Sequence, residues 1–268
     1  MGILHQLKSA LLRARDQDPS TRDTLASIRQ EGRLHARVKI PEAVGGFTQV
    51  AGCDRRGLLL NLSYGGMAIA APPDEIDTLT ANTEIDATVG ILDQSHVFRV
   101  KLIRISPVDV DINLLGFSFI HNDSIGLLFL RRYIEPILEG GSLMLIPPEV
   151  RKDRYKSKGW LCFRGDRSTD LVIKVSPDNN QIDDLMLIFA TQDGYKQLLY
   201  KSGVVSTARI DGPDSSLDLG TASVKSTAML DATILRSAIC LLASAVTPVA
   251  PLLSSFVLKL SKLNSSQP

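Results

Sequence analysis

The stretch Asn61-Leu62-Ser63-Tyr64-Gly65-Gly66 lies between two short apolar runs, Gly57 to Leu60 and Met67 to Ala71. Both runs have the length and composition of short strands. The two glycines favour a turn between them, because glycine adopts backbone angles that side chains disfavour. The pattern therefore predicts a β-hairpin that carries an asparagine and a serine beside its turn.

Further short strands are predicted around this hairpin. Apolar residues alternate with polar or small ones over 85–91, less regularly over 97–105, and another strand is predicted over 112–120. A helix capped by Asp123 or Ser124 follows and ends at Gly140-Gly141. Its predicted buried side consists of Leu127, Leu128, Leu130, Tyr133, Ile134 and Ile137. Short strands followed by one helix predict a small antiparallel barrel or sandwich.

The second half of the chain predicts another small antiparallel sheet. Turn-forming residues separate five strand candidates, Trp160 to Phe163, Leu171 to Val175, Leu185 to Ala190, Gln197 to Tyr200 and Val204 to Ile210. No catalytic motif lies on them. Helical sequence follows from Ser226, so the chain as a whole is predicted to be mainly β, or α+β.

The segment Ser237 to Leu258 contains no charged residue and is long enough to span a bilayer. One interpretation is a C-terminal membrane anchor. Pro248 and Pro251 lie at its centre, however, and favour two helices joined at Thr247 to Pro251. We expect the pair of helices.

Composition excludes several classes of function. The chain has 30 Lys and Arg against 29 Asp and Glu, and this balance disfavours binding to a nucleic-acid polymer. Its three cysteines lie far apart, its histidines lack ligand spacing, and no catalytic set or phosphate loop is present. We therefore predict no catalytic residues, no metal, no cofactor and no enzymatic activity. A start without a signal peptide and an odd number of cysteines favour the cytoplasm.

Arg33 and Arg37 precede the first predicted strand, Val38 to Ile40. The planar guanidinium group of arginine suits phosphate oxygens and the O6/N7 edge of guanine, and it stays charged at physiological pH. Two arginines on one segment could therefore hold a phosphorylated guanine ligand. The alternative is that both are solvated residues on one face of a helix end.

The hairpin stretch adds complementary groups. The amide oxygen of Asn61 can accept from guanine N1–H or N2–H, and Ser63 can donate to a phosphate or a base edge. Gly65 and Gly66 allow a ligand to approach the backbone and permit positive φ. The alternative is an ordinary turn in which the asparagine and serine satisfy local backbone groups.

Together, Arg-x-x-x-Arg followed by Asn-x-Ser-x-x-Gly resembles the pattern of the PilZ family of cyclic-di-GMP receptors. The resemblance covers about residues 30–140 and includes Gly116-Phe117-Ser118-Phe119 and the helix from about Ser124. It implies a six-stranded antiparallel β-barrel with a closing helix. It also implies that cyclic-di-GMP is bound by Arg33, Arg37, Asn61, Ser63, Gly65 and Gly66.

These inferences predict an N-terminal helical segment over 1–30, a PilZ-like barrel over 31–143, and a small sheet with C-terminal helices over 150–268. The expected function is that of a bacterial, cytoplasmic receptor which couples second-messenger binding to a conformational change and to a protein partner. The segment from about Gln30 to Arg37 is expected to become ordered with ligand. The alternative is a PilZ-like adaptor that binds no nucleotide and acts through protein contacts.

Overall fold

The computed structural model describes residues 36–52, 56–73, 79–157, 159–177, 181–211, 223–226 and 230–265. These residues form two compact units, one containing the described residues up to Ile40 and between Gly45 and Ile134, the other Pro41–Val44 and the described residues from Glu135. The predicted N-terminal helical segment, 1–30, lies outside the described residues. The predicted domain limits at 143 and 150 stay predictions.

The first unit is built around a closed ring of six antiparallel strands. Its strands are β1 (Val38–Lys39), β2 (Gly46–Val50), β3 (Gly57–Ser63), β4 (Gly66–Ala71), β5 (Glu84–Ile91), β6 (Gln94–Asp109) and β7 (Ile112–His121). The ring runs β3-β2-β5-β6-β7-β4 and returns to β3, while β1 is added at the side of β3. Every strand of the ring therefore has two neighbours, which removes the exposed edges that an open sheet leaves. The six-stranded antiparallel barrel is confirmed.

The interior of the barrel follows from the alternation of side chains along each strand. Leu62, Met67 and Leu102 are fully buried, and their neighbours along the strands face outward. The hairpin, the strand over 85–91 and the strand over 112–120 are confirmed within one or two residues. The sequence did not predict β2, in which Gly46-Phe47-Thr48-Gln49-Val50 is too short and too polar to show a pattern.

Helix α1 (Ser124–Gly141) closes the barrel. Asp123 caps it by accepting from the amide of Gly126 at 2.6 Å. The prediction that Leu127 and Leu128 are buried is wrong, since they are 44% and 41% exposed. At about 100° per residue, the buried set, Phe129, Leu130, Tyr133, Ile134 and Ile137, leaves Leu128 on the opposite side of the helix and Leu127 at the edge of the buried face. Phe129 is the anchor, with its ring 5.9 Å from that of Phe98.

The second unit contains an open antiparallel sheet in which every strand pairs with its neighbours in sequence. Its described strands are β8 (Met144–Leu145), β9 (Trp160–Arg164), β10 (Asp170–Val175), β11 (Ile182–Thr191), β12 (Gly194–Lys201), β13 (Val204–Asp211) and β14 (Ser223–Ser226). The five predicted strands are confirmed, and they correspond to β9 through β13. The sequence missed β8 and β14, which are two and four residues long.

Two helices, α2 (Ala232–Ser244) and α3 (Ala250–Ser265), follow the sheet and contact it at β12. The ring of Phe256 on α3 lies 4.9 Å from that of Tyr200 on β12. The chain between the helices contains Thr247 and Pro248, so the predicted joint is confirmed. Within the described ranges, none of the helices combines the length and the apolar character needed to cross a membrane.

Candidate functional site

The predicted hairpin is formed by β3 and β4, and its turn is closed by local contacts. The Ser63 hydroxyl donates to the carbonyl oxygen of Gly66 at 3.0 Å, and Ser63 is buried. Gly66 does not have a positive φ, so that part of its predicted role is wrong. Instead, a Cβ at this position would collide with the carbonyl of Phe117 on β7. Gly66 is therefore required for β4 to approach β7.

The turn between the two strands is also tied to the end of β7. The amide of Phe119 donates to the carbonyl of Gly65 at 3.1 Å, and Asn122 Nδ2 donates to the carbonyl of Tyr64 at 3.0 Å. These contacts hold the turn at a defined place beside the barrel. The sequence did not predict the role of Asn122, because its partner lies 58 positions away and no local pattern connects them.

The register of β1 brings the arginine segment to the hairpin. Lys39 lies opposite Asn61 and Val38 opposite Leu62, so the antiparallel ladder places Arg37 next to Ser63. Val38 and Leu62 are buried in the barrel, and the residues on either side of them face outward. Three of the predicted site residues, Arg37, Asn61 and Ser63, therefore share the outer side of the β1–β3 pair. Arg33 lies outside the described residues.

Asn61 has an unusual environment for a strand residue. Its Oδ1 atom is buried and accepts no hydrogen bond within the described part of the chain. A buried amide oxygen without a donor costs free energy, on the order of 1–3 kcal/mol. Asn122, whose Nδ2 holds the Tyr64 carbonyl, also has a buried Oδ1 without a donor in the described part of the chain.

The chemistry available here is recognition rather than bond making. Across the described ranges, no three His, Cys, Asp or Glu side chains are grouped as metal ligands. The groups brought together are one guanidinium, one amide, one hydroxyl and backbone. The absence of enzymatic activity stays a prediction.

No family model matches the chain, and no curated protein matches it. A solved PilZ domain with c-di-GMP, from YcgR of Escherichia coli, is 24% identical, over 39% of this chain and 90% of that one, with a TM-score of 0.32. PlzA of Borreliella burgdorferi, solved in complex with c-di-GMP, is 11% identical, over 77% of this chain and 91% of that one, with a TM-score of 0.30. The strand pairing of the chain itself confirms the closed six-stranded antiparallel barrel that the resemblance implies.

Proposed function

We propose that the protein is a receptor for cyclic-di-GMP and binds it on the outer side of β1, β3 and β4. The observation that carries the proposal is the register of β1 on β3, which brings Arg37 beside Asn61 and Ser63. Neither motif alone implies this arrangement, since Arg37 and Asn61 lie 24 positions apart in the sequence. The fold brings together the fixed positive charge of Arg37 and the amide oxygen of Asn61, to which no described group donates.

Each group has a distinct task in this proposal. The guanidinium of Arg37 contacts a phosphate through two parallel hydrogen bonds. Asn61 Oδ1 accepts from the N1–H or N2–H of guanine, which supplies the donor that this atom otherwise lacks. The Ser63 hydroxyl already donates its proton to the carbonyl of Gly66. Towards the ligand, Ser63 therefore acts as an acceptor, through the lone pairs of its oxygen. The ligand therefore gains both charge neutralisation and guanine selectivity.

The second candidate function is that of an adaptor which binds no nucleotide. It is favoured by the structural roles of two motif residues, because Ser63 closes the turn and Gly66 makes room for β7. A barrel would retain both residues for its own stability. It does not account for the placing of the Asn61 oxygen, which has no donor, beside Arg37.

Calorimetric titration with cyclic-di-GMP separates the two candidates. Arg37→Ala removes a charge-assisted contact, so we expect a loss of about 1.5–3 kcal/mol, or more than tenfold in Kd. Arg99→Ala is the matched control, since Arg99 is an outward arginine of the same barrel that pairs with Asp86 at 3.2 Å. Failure of the wild-type protein to bind favours the adaptor. Equal affinity of wild type and Arg37→Ala contradicts the assignment of Arg37.

The proposed coupling to a partner begins at the same arginine, because Arg37 immediately precedes β1. Ligand contact there would order the preceding segment, at a cost of roughly 1–2 kcal/mol per residue taken from the binding free energy. We expect amide exchange over Gln30 to Arg37 to slow on addition of cyclic-di-GMP. Binding with unchanged exchange over this segment would leave the receptor assignment intact and reject the coupling.

A further inference from the structure

The outer face of the barrel beside Asn61 continues across three strands. The register pairs Asn61 on β3 with Ala68 on β4, Ala68 with Gly116 on β7, and Gly116 with Arg104 on β6. The next row pairs Gly66 on β4 with Ser118 on β7, and Ser118 with Lys101 on β6. Both rows therefore start at the predicted hairpin site and end at a cation.

The side chains of these rows lie outside the barrel. Ala68 is flanked along its strand by Met67 and Ile69, and Gly116 by Leu115 and Phe117, and all four of those neighbours are buried in the interior. Alternation places the intervening residues on the outer surface. Ala68, Gly116 and Ser118 carry at most a small side chain, so none of them projects far from the surface beside Asn61. We call these three residues the floor.

Gly116 is the most informative position in the floor. A Cβ added there would have no neighbour nearer than Arg104 Cβ at 3.8 Å, and its φ lies outside the left-handed region. The fold therefore does not need glycine at position 116 for space or for backbone angle. Gly66, one strand away, is required because a Cβ would collide with β7. With glycine at position 116, no side chain projects from the outer surface at this point.

Two cations border the far side of the floor. Arg104 is exposed, and its Nε donates to Ser106 Oγ at 2.5 Å. Lys101 is partly exposed and lies opposite Glu84 of β5. With about 4.8 Å between neighbouring strands, β6 lies about 14 Å from β3 across the floor. The surface thus has the Asn61 amide oxygen, which lacks a donor, at one end and the charges of Lys101 and Arg104 at the other.

We propose that the cyclic-di-GMP surface extends from Asn61 over the floor to Lys101 and Arg104, which contact the second nucleotide of the ligand or its phosphate. The proposal rests on the proposed function and deepens it, because none of these five residues belongs to either motif. The proximal nucleotide lies at Arg37 and Asn61, and the small side chains let the macrocycle lie flat. The distal cations then favour a cyclic dinucleotide over a mononucleotide, which has no second nucleotide to reach them.

The test measures cyclic-di-GMP affinity for Gly116→Leu, which raises the floor. Thr88→Leu is its control, since Thr88 faces outward on β5, between the buried Ala87 and Val89. We expect Gly116→Leu to weaken binding roughly tenfold or more, because the ligand loses its flat contact, and Thr88→Leu to bind as wild type. The unliganded melting temperatures of both variants should stay close to that of wild type.

A second variant pair tests the cations without any steric change. Lys101→Gln with Arg104→Gln should weaken cyclic-di-GMP binding roughly three- to tenfold, because exposed charge contacts are individually weak. It should leave GMP binding unchanged and reduce the salt dependence of affinity for the dinucleotide. Arg99→Gln, which removes one positive charge elsewhere on the outer surface of the barrel, is the control and should change neither.

The outcomes separate the two proposals. If wild type binds no cyclic-di-GMP, the proposed function and this extension both fail. If wild type binds, Arg37→Ala binds more weakly, and Gly116→Leu and the double Gln variant bind as wild type, the extension alone is overturned. If Gly116→Leu lowers the melting temperature substantially, the test rests on the double Gln variant. Cyclic-di-GMP affinity equal to that of wild type in this variant overturns the extension, and the predicted loss of roughly three- to tenfold supports it.

Discussion

The two sheets of this protein bury their apolar side chains in different ways, and the difference indicates which sheet has a face available to a ligand. The first sheet closes on itself, so its strands have paired neighbours all round the ring and its apolar side chains fill the interior. The second sheet stays open and is contacted at β12 by α2 and α3. A closed sheet needs no cover on its outer face, whereas an open sheet must bury its apolar face against another element.

Buried polar side chains in the two units differ in what lies beside them. In the second unit the buried carboxylates support structure. Glu139 Oε1 accepts from the amide of Arg167 at 2.9 Å, and Asp170 Oδ1 accepts from Arg164 Nε at 2.9 Å. In the barrel, Asn61 has a buried oxygen without a donor, as does Asn264 on α3 in the second unit. Asn61 differs in lying on the strand pair that also carries Arg37, so the combination of the two groups, not the missing donor alone, is consistent with the proposed ligand.

The largest expected effect concerns the two glycines of the barrel. Gly66→Ala forces a Cβ against the Phe117 carbonyl, which cannot move without shifting β7, so we expect a loss of roughly 1–3 kcal/mol or more in unfolding free energy. Gly116→Ala has space for its Cβ and should unfold at nearly the wild-type temperature. Thermal unfolding followed by circular dichroism compares them. Equal melting temperatures would contradict the distinction between the structural and the open glycine.

A smaller effect is expected in the second unit at Asp231, the N-cap of α2. Its Oδ1 accepts from the amides of Thr233 at 2.9 Å and Ile234 at 3.2 Å, and Oδ2 accepts from Arg209 at 3.3 Å. Asp231→Ala should cost about 0.5–2 kcal/mol, whereas Asp231→Asn keeps a capping oxygen and should cost less. Trp160 is the one tryptophan of the chain and lies on β9, so its fluorescence in urea reports this unit. Equal losses in both variants would show that the ion pair, not the cap, matters.

Asn61→Ala should change the unliganded barrel least of the polar substitutions. It removes an oxygen without a donor, so the melting temperature without ligand should stay within a few degrees of wild type or rise. Cyclic-di-GMP affinity should fall. A large drop in melting temperature with intact binding would mean that Asn61 serves the hairpin and would remove the contrast with Asp231.

The smallest effect is a pH dependence in the second sheet. Burial raises the pKa of Asp170 above 3.8, although Arg164 opposes the shift. Because the folded pKa exceeds the unfolded one, the proton on Asp170 stabilises the fold in acid, and this contribution is lost as pH rises from 3.8 through the raised value. Asp170→Asn should therefore gain stability relative to wild type across that interval. A difference between the two proteins that is constant with pH, measured in urea, would contradict the assignment.

Local patterns were sufficient for most elements of the fold. The hairpin, the five central strands of the second sheet and the joint between α2 and α3 all follow from apolar runs and from breakers such as Pro248. The patterns failed where an element is short, as in β8, or where tertiary packing chose the helix face. Leu127 and Leu128 are apolar, but α1 is oriented so that Phe129, and not these leucines, packs against Phe98.

The sequence by itself determined the kinds of chemistry that the protein carries, because residue type and spacing are local properties. It identified Arg37, Asn61 and Ser63 as the groups to consider and predicted an antiparallel barrel. Only the tertiary structure decided which of them meet, since strand register is set by ring closure and by the burial of alternate side chains. The same closure made Gly66 a packing requirement and left space for a Cβ at Gly116, a difference that residue type alone does not show.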